Sequence, residues 1–167
     1  MRGLFARGLA FERYMVSLLR ADARLPKLQR RFLQEFNHPR IETYVGVTKP
    51  GTPGIRFADV LVIEEQVSDG QPPRVETFSF KSRELVRLAP EELTAQMKVD
   101  ASSALLYYGE MLDVRRPSLK LRDRPVQVQR VRLIYEGGAL TSTRPVVLRK
   151  AMNDVQENIE GVEVRIE

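Results

Sequence analysis

The sequence predicts one α/β domain over residues 1–167, with a mixed sheet of α+β character. A nearly continuous apolar run of strand length, Arg56–Glu64, precedes a segment that alternates apolar and polar residues, Val75–Arg83. Patterns of helical period lie on both sides of this pair of strands. The chain of 167 residues is 43% hydrophobic, which is sufficient for one core.

The N-terminal part predicts two helices and a strand. Apolar residues recur every three or four positions over residues 4–19, as in an amphipathic helix. A second helix is predicted over residues 26–36, because Pro26 suits a first helical turn and Asn37–Pro39 suits a helix end. The alternating, β-branched segment Ile41–Val47 then predicts the first strand.

The next two strands are predicted to form a hairpin, because Ser68–Pro73 between them contains an Asp-Gly pair and two prolines. Asp59 lies within the first strand and Lys81 lies near the end of the second. Burying a charged residue inside a strand costs free energy, unless the charge is paired with another group or serves a function. The hairpin therefore permits a functional site, although on these residues alone an ordinary strand-end Lys81 and a buried Asp59 paired with Arg56 or Lys81 fit better.

The C-terminal part predicts two helices and two strands. Pro90 opens a helix whose apolar positions continue to about Asp113. A basic loop with several prolines follows over residues 115–125. The remaining elements are a strand over residues 126–135, a helix over residues 144–159 and a final strand over residues 162–166.

Composition limits the classes of function. The net charge of +5, from 27 basic and 22 acidic residues, permits a polyanionic partner. The sequence has no cysteine and one histidine, so any metal must be held by oxygen ligands. No apolar run is long enough to predict a membrane span, and arginines interrupt the N-terminal segment where a secretory signal would be apolar. These features predict a cytoplasmic protein.

Four short motifs occur in a suggestive order. They are the segment 8–12 ending in Glu12, the segment 57–60 with Asp59, the segment 78–81 with Lys81, and Gln96 on the following helix. In these motifs the chain resembles the PD-(D/E)XK superfamily of nucleases, which has the restriction-endonuclease-like fold. With Tyr107-Tyr108 after Gln96, it looks most like the restriction-endonuclease-fold toxin domains of bacterial polymorphic toxins.

The resemblance implies a core of helix, three-strand meander, helix and strand, here with extra helices and a final strand. It implies a Mg²⁺ or Mn²⁺ ion held by Asp59 and Glu12, and a nucleic-acid substrate, DNA in preference to RNA. Lys81 and Gln96 would act on the attacking water and the phosphate. The candidates for contacts with the phosphates of the nucleic-acid backbone are three arginines, Arg83, Arg115 and Arg116. As isolated residues, these arginines, Glu12 and Gln96 also fit an ordinary solvated surface.

One position departs from the superfamily pattern. Ser79 stands two residues before Lys81, where the pattern has an acid. Because side chains alternate along a strand, Glu76 faces the other way and cannot replace that acid. Ser79 would then contact the metal through its hydroxyl or a water, with Glu12 supplying the second carboxylate, or catalysis has been lost.

Three functions follow from this sequence. The first is a toxin nuclease, delivered to a target cell by a dedicated machine and neutralised by an immunity or inhibitor protein. The second is a housekeeping nuclease of repair or phage origin that acts in its own cell. The third is a nuclease-fold module that binds or assembles without catalysis, which the serine at position 79 favours.

Overall fold

The computed structural model describes residues 2–121, 124–138 and 140–167, with the backbone alone described at residues 2–5, 140 and 142. It is a mixed α/β structure, as the sequence predicts. Its helices and strands follow the chain in the order α1 Arg2–Arg24, β1 Pro39–Thr48, β2 Arg56–Glu64, β3 Val75–Lys81, α2 Pro90–Tyr108, β4 Glu110–Arg115, β5 Val126–Tyr135, α3 Leu140–Thr143, α4 Pro145–Asn158 and β6 Val162–Ile166.

The six strands form one mixed sheet. Strands β1, β2 and β3 are an antiparallel meander, which confirms the predicted hairpin. Strand β5 then pairs in parallel with β3 on one side and with β6 on the other. Strand β4 pairs antiparallel with both β1 and β5, so the pairings β1, β2, β3, β5 and β4 form a closed cycle.

Helices cover both faces of this sheet, so its central strands are buried on two sides. On one face, Phe11 and Met15 of α1 pack against Val62 and Phe78. On the other face, α2 and α4 pack against the alternate strand residues, among them Leu61. No helix among the described residues is long and apolar enough to cross a membrane.

The predicted second helix, residues 26–36, is wrong. Only a single 3-10 turn, Lys27–Gln29, is present there. The carboxylate of Asp22 accepts hydrogen bonds from three successive backbone N–H groups, those of residues 31–33, at 2.7–3.0 Å. The guanidinium of Arg30 donates to the carbonyls of Leu25, Leu33 and Phe36. Side chains therefore satisfy the backbone groups that a helix would have paired internally.

The third predicted helix is too long at its C-terminal end. Helix α2 stops at Tyr108, and the predicted loop 115–125 is preceded by strand β4, which the sequence did not indicate. Gly109 permits the exit, because a Cβ there would lie 2.6 Å from the Leu105 side chain. Met111 and Leu112 keep a helical spacing that matches the pattern of α2, so periodicity alone continues the helix. Residues 122 and 123 of the predicted loop lie outside the described residues.

Candidate active site

The site begins where two strands of the sheet separate. The ladder between β2 and β3 runs from the pair Ile63 and Val75 to the pair Val60 and Phe78. Beyond that pair β2 continues against β1, while β3 continues against β5. We call the opening between residues 56–59 of β2 and residues 79–81 of β3 the fork.

Asp59 lies at the base of the fork. Its Oδ2 accepts a hydrogen bond from the backbone N–H of Phe80 at 2.8 Å, across the gap between the strands. Burial raises the pKa of Asp59, while that hydrogen bond and the positive charge of Lys81 lower it. Asp59 and Lys81, from facing strands, therefore interact electrostatically at the fork.

Glu12 reaches the same place from helix α1. Burial raises the pKa of this half-buried glutamate, and so does the negative charge of Asp59, whereas Arg13 lowers it. Two neighbouring carboxyl groups that resist ionisation are the kind of pair that a cation stabilises. No set of three or more His, Cys, Asp or Glu side chains suited to a metal occurs in the described part of the chain. Among the described residues, the acids at the fork are thus the pair Asp59 and Glu12, with the positive charge of Lys81 beside Asp59.

Ser79 occupies the position opposite Asp59 when the register of β2 and β3 is continued by one residue. It is 5% exposed. Glu76, in the same strand, is fully buried and accepts hydrogen bonds from Arg74 at 3.1 Å and Arg130 at 2.9 Å. These contacts hold Glu76 away from the fork, as the alternation of the strand predicts.

The C-terminal end of α2 also reaches the fork. The hydroxyl of Thr77 donates to the backbone carbonyl of Tyr108 at 2.8 Å and ties the helix end to β3. Burial raises the pKa of the Tyr108 phenol, the charge of Asp59 adds to this, and Arg56 opposes it. The guanidinium of Arg56 lies 4.1 Å from the ring centroid of Tyr107. Sequence reasoning did not assign Tyr108 to the site, although the pair Tyr107-Tyr108, both partly buried here, was a signal.

Gln96 and Arg83 are both bound to Asp100, a buried residue of α2 that the sequence did not single out. Arg83 donates two hydrogen bonds to the Asp100 carboxylate, at 2.8 and 2.7 Å, and Gln96 donates one at 3.1 Å. The hydroxyl of Tyr135 donates another at 2.7 Å. Since Tyr135 is the register partner of Lys81, this cluster supports the strand end that carries the lysine. Arg83 is thus engaged within the molecule and is a weaker candidate for a phosphate contact.

The other two predicted arginines have different environments. Arg116 donates to the carboxylate of Glu42 at 2.8 Å and to the backbone carbonyls of residues 43 and 44. Arg115 is exposed. Both line a cavity of about 820 Å³ that also contains Lys120 and Arg124. Arg116, like Arg83, is thus engaged within the molecule, whereas Arg115, Lys120 and Arg124 are exposed and give this basic cavity positive charge suited to phosphates.

The chain matches no protein-family model, no curated protein and no solved structure. The interpretation of the fork therefore depends on its own contacts: Asp59 is held by a backbone N–H and coupled to Glu12, Lys81 and Tyr108.

Proposed function

We propose that this chain is a metal-dependent nuclease that hydrolyses phosphodiester bonds, in DNA in preference to RNA. The observation that carries the proposal is the position of Asp59 at the fork, where its carboxylate is held by the backbone N–H of Phe80 and lies within reach of the charges of Glu12 and Lys81. A partly buried acid and a lysine on neighbouring strands need a reason to be kept there. Binding a cation and a phosphate between them is such a reason.

The donor set fits a hard divalent cation. Asp59 and Glu12 would hold Mg²⁺ or Mn²⁺ through carboxylate oxygens, with waters and phosphate oxygens completing the coordination. When bound, the cation supplies polarisation of the phosphate and a lower pKa for a water. Lys81 would offset the negative charge that develops on the phosphate and orient the water. Ser79 and Tyr108 present hydroxyls to the same region, and Gln96 remains anchored on Asp100 beside it.

The order of elements supports the same proposal. The PD-(D/E)XK resemblance implies helix, three-strand meander, helix and strand, and α1, the β1–β3 meander, α2 and β5 follow that order. Strand β4 is an addition to it. The motif residues Glu12, Asp59 and Lys81 lie at one end of this arrangement, whereas Ser79 is the single departure.

For the biological setting we favour a bacterial effector or toxin. Such a domain acts on nucleic acid in the cytoplasm of a target cell and is neutralised by an immunity or inhibitor protein. A housekeeping nuclease would act in its own cell without such a partner. Growth arrest on cytoplasmic expression, relieved by Lys81→Ala, supports the effector, and normal growth supports the housekeeping enzyme.

Incubation with plasmid DNA and with total RNA tests the proposal. We expect cleavage of the plasmid in Mg²⁺ or Mn²⁺ and none in EDTA. Lys81→Ala should slow cleavage by roughly a hundredfold, because it removes a positive charge beside the reacting phosphate. Lys98→Ala, which removes a lysine from an exposed ion pair with Asp154, is the matched control and should leave the rate unchanged. Cleavage that persists at the full rate in Lys81→Ala, or none in any metal from the folded protein, contradicts the proposal.

A second candidate is a nuclease-fold module that binds without cleaving, and Ser79 opposite Asp59 is the observation that favours it. Ser79→Asp separates the two. In an active enzyme, the added carboxylate should lower the Mg²⁺ concentration for half-maximal cleavage by about tenfold, because it supplies a third anionic oxygen ligand. Ser79→Asn is the uncharged control. If the natural chain is inactive and Ser79→Asp alone cleaves, the module is the better description.

A further inference from the structure

Two exposed aromatic side chains stack on each other on the surface of the meander. The rings of Tyr44 in β1 and Phe57 in β2 are 4.6 Å apart between centroids and inclined by 9°. The two residues are 64% and 45% exposed. Single exposed apolar residues are common, but contiguous ones, such as two stacked rings, form a patch of the kind that marks a binding site. We call this pair the platform.

The platform lies next to the fork. The register that pairs Thr43 with Val60 and Val45 with Ala58 places Tyr44 opposite Asp59. Phe57 is two residues from Asp59 in the same strand, and alternate residues of a strand share a face. An aromatic surface therefore borders the carboxylate on the β1 side, as Ser79 borders it on the β3 side.

The backbone holds Tyr44 in an unusual conformation. Its φ of +51° is left-handed, which is rare for an aromatic residue. Arg116 donates hydrogen bonds to the backbone carbonyls of Thr43 and Tyr44, at 3.0 and 3.2 Å, and pairs with Glu42. Left-handed residues held by their surroundings in this way concentrate at binding sites. Arg116 is thus a positioning residue for the platform.

Positive charge adjoins the platform. The ring of Phe57 and the Cβ of Arg115 lie side by side over Gly46, at 3.5 and 3.6 Å from the point where a Cβ of that glycine would be. Arg115 also lines the basic cavity of about 820 Å³. Aromatic rings beside a basic groove are the combination by which proteins hold unpaired nucleic acid, since the rings stack on bases and the arginines bind phosphates.

We propose that the platform stacks an unpaired base, so that this chain acts on single-stranded nucleic acid or on an unpaired segment. The inference rests on the proposed function for the chemistry at Asp59, whereas the binding is measurable without cleavage. In a duplex the base faces are covered by their neighbours, so the platform has nothing to stack on. A single strand offers its base faces while its phosphates reach the cavity lined by Arg115.

Fluorescence anisotropy in EDTA tests this binding with oligonucleotides of about 20 nucleotides, longer than the strand that a stacking site of this kind covers. The probes are labelled oligothymidylate, oligouridylate, an abasic strand of equal length and a duplex. We expect oligothymidylate or oligouridylate to bind at least about tenfold more tightly than the duplex and the abasic strand. Phe57→Ala and Tyr44→Ala should each weaken that binding by about tenfold and leave abasic binding unchanged. Tyr44→Phe and Phe57→Tyr, which keep an aromatic ring, should bind oligothymidylate as tightly as the natural chain does.

Equal affinity for the abasic strand and oligothymidylate overturns the inference, and so does binding that both alanine variants retain. Sedimentation of the natural chain beside Tyr44→Ala gives a further test, because a dimer lost on substitution makes the platform a self-association surface instead. Failure here differs from failure of the nuclease. Metal-dependent cleavage without a preference for unpaired strands contradicts only the role of the platform. Preferential binding of unpaired strands without cleavage contradicts only the nuclease function.

Discussion

Asp59→Asn will reduce metal-dependent cleavage by about a thousandfold or more, because it replaces the central anionic ligand by a neutral amide. The amide oxygen can still accept the hydrogen bond that Phe80 donates to Asp59, so the fork keeps its shape. The loss will therefore come from the chemistry rather than from the fold. The rate is measured on plasmid or single-stranded DNA in saturating Mg²⁺.

The same substitution will stabilise the protein in EDTA at neutral pH. Burial raises the folded-state pKa of Asp59, so its contribution to stability is fully present at pH values below the unfolded pKa and is lost as pH rises through the folded pKa. At neutral pH the natural chain has lost that contribution, and the asparagine variant has no such loss. The difference in free energy of unfolding should shrink as pH falls toward the range where Asp59 is protonated.

Urea denaturation at neutral pH and at the lower pH where Asp59 is protonated measures this difference in free energy of unfolding. If Mg²⁺ binds at Asp59, adding it at neutral pH should make the natural chain more stable than Asp59→Asn. Asp69→Asn, on the exposed turn between β2 and β3, is the matched control and should change neither activity nor stability. A variant that cleaves normally refutes the role of Asp59 as ligand. A variant that is less stable in EDTA shows instead that Asp59 is a structural acid.

Asp22→Ala will cost roughly 3–5 kcal/mol of stability, the largest loss that we expect from one polar side chain in this fold. Asp22 is buried and accepts hydrogen bonds from the backbone N–H groups of Arg31, Phe32 and Leu33. Alanine leaves these donors without an acceptor in a part of the chain that has no helix to pair them. A shift of about 10 °C in the thermal midpoint should accompany the loss.

Two further variants give this result its meaning. Asp22→Asn keeps one acceptor oxygen and should cost less than alanine, about 1–2 kcal/mol. Asp154→Ala removes an exposed acid whose partner Lys98 lies 3.3 Å away, and such surface pairs contribute about 0–1 kcal/mol. Equal stability of Asp22→Ala and Asp154→Ala would show that the segment after α1 does not depend on these hydrogen bonds.

Periodicity predicted the elements whose packing is local or regular. The strand Val126–Tyr135 and the strand Val162–Ile166 have the predicted bounds, because apolar alternation and turn residues mark them directly. The segment 26–36 has a helical pattern too, yet its backbone groups find better partners in Asp22 and Arg30. Those partners act through side-chain geometry, which the spacing of apolar residues does not encode.

The candidate site divides in the same way. Asp59 and Lys81 are recognisable because charge in an apolar strand is anomalous, and the hairpin register then brings their strands together. Asp100 is inconspicuous in sequence, since an acid on an amphipathic helix is ordinarily exposed. Its burial depends on Arg83 and Tyr135, which are distant in the chain. The platform of Tyr44 and Phe57 likewise exists only when two strands are in register.

The closed cycle of strand pairings determines how much of the chain must be synthesised before the site can assemble. Strand β3, which carries Lys81, pairs with β5, and β5 begins more than forty residues after Lys81. In this pairing Lys81 is opposite Tyr135. A nascent chain that has not yet reached β5 already contains Asp59 and Lys81, but it lacks the strand that supports the lysine. Assembly of the site is thereby deferred until most of the polypeptide has been made, so a nuclease of the proposed kind would be inactive while its own messenger RNA is still being translated.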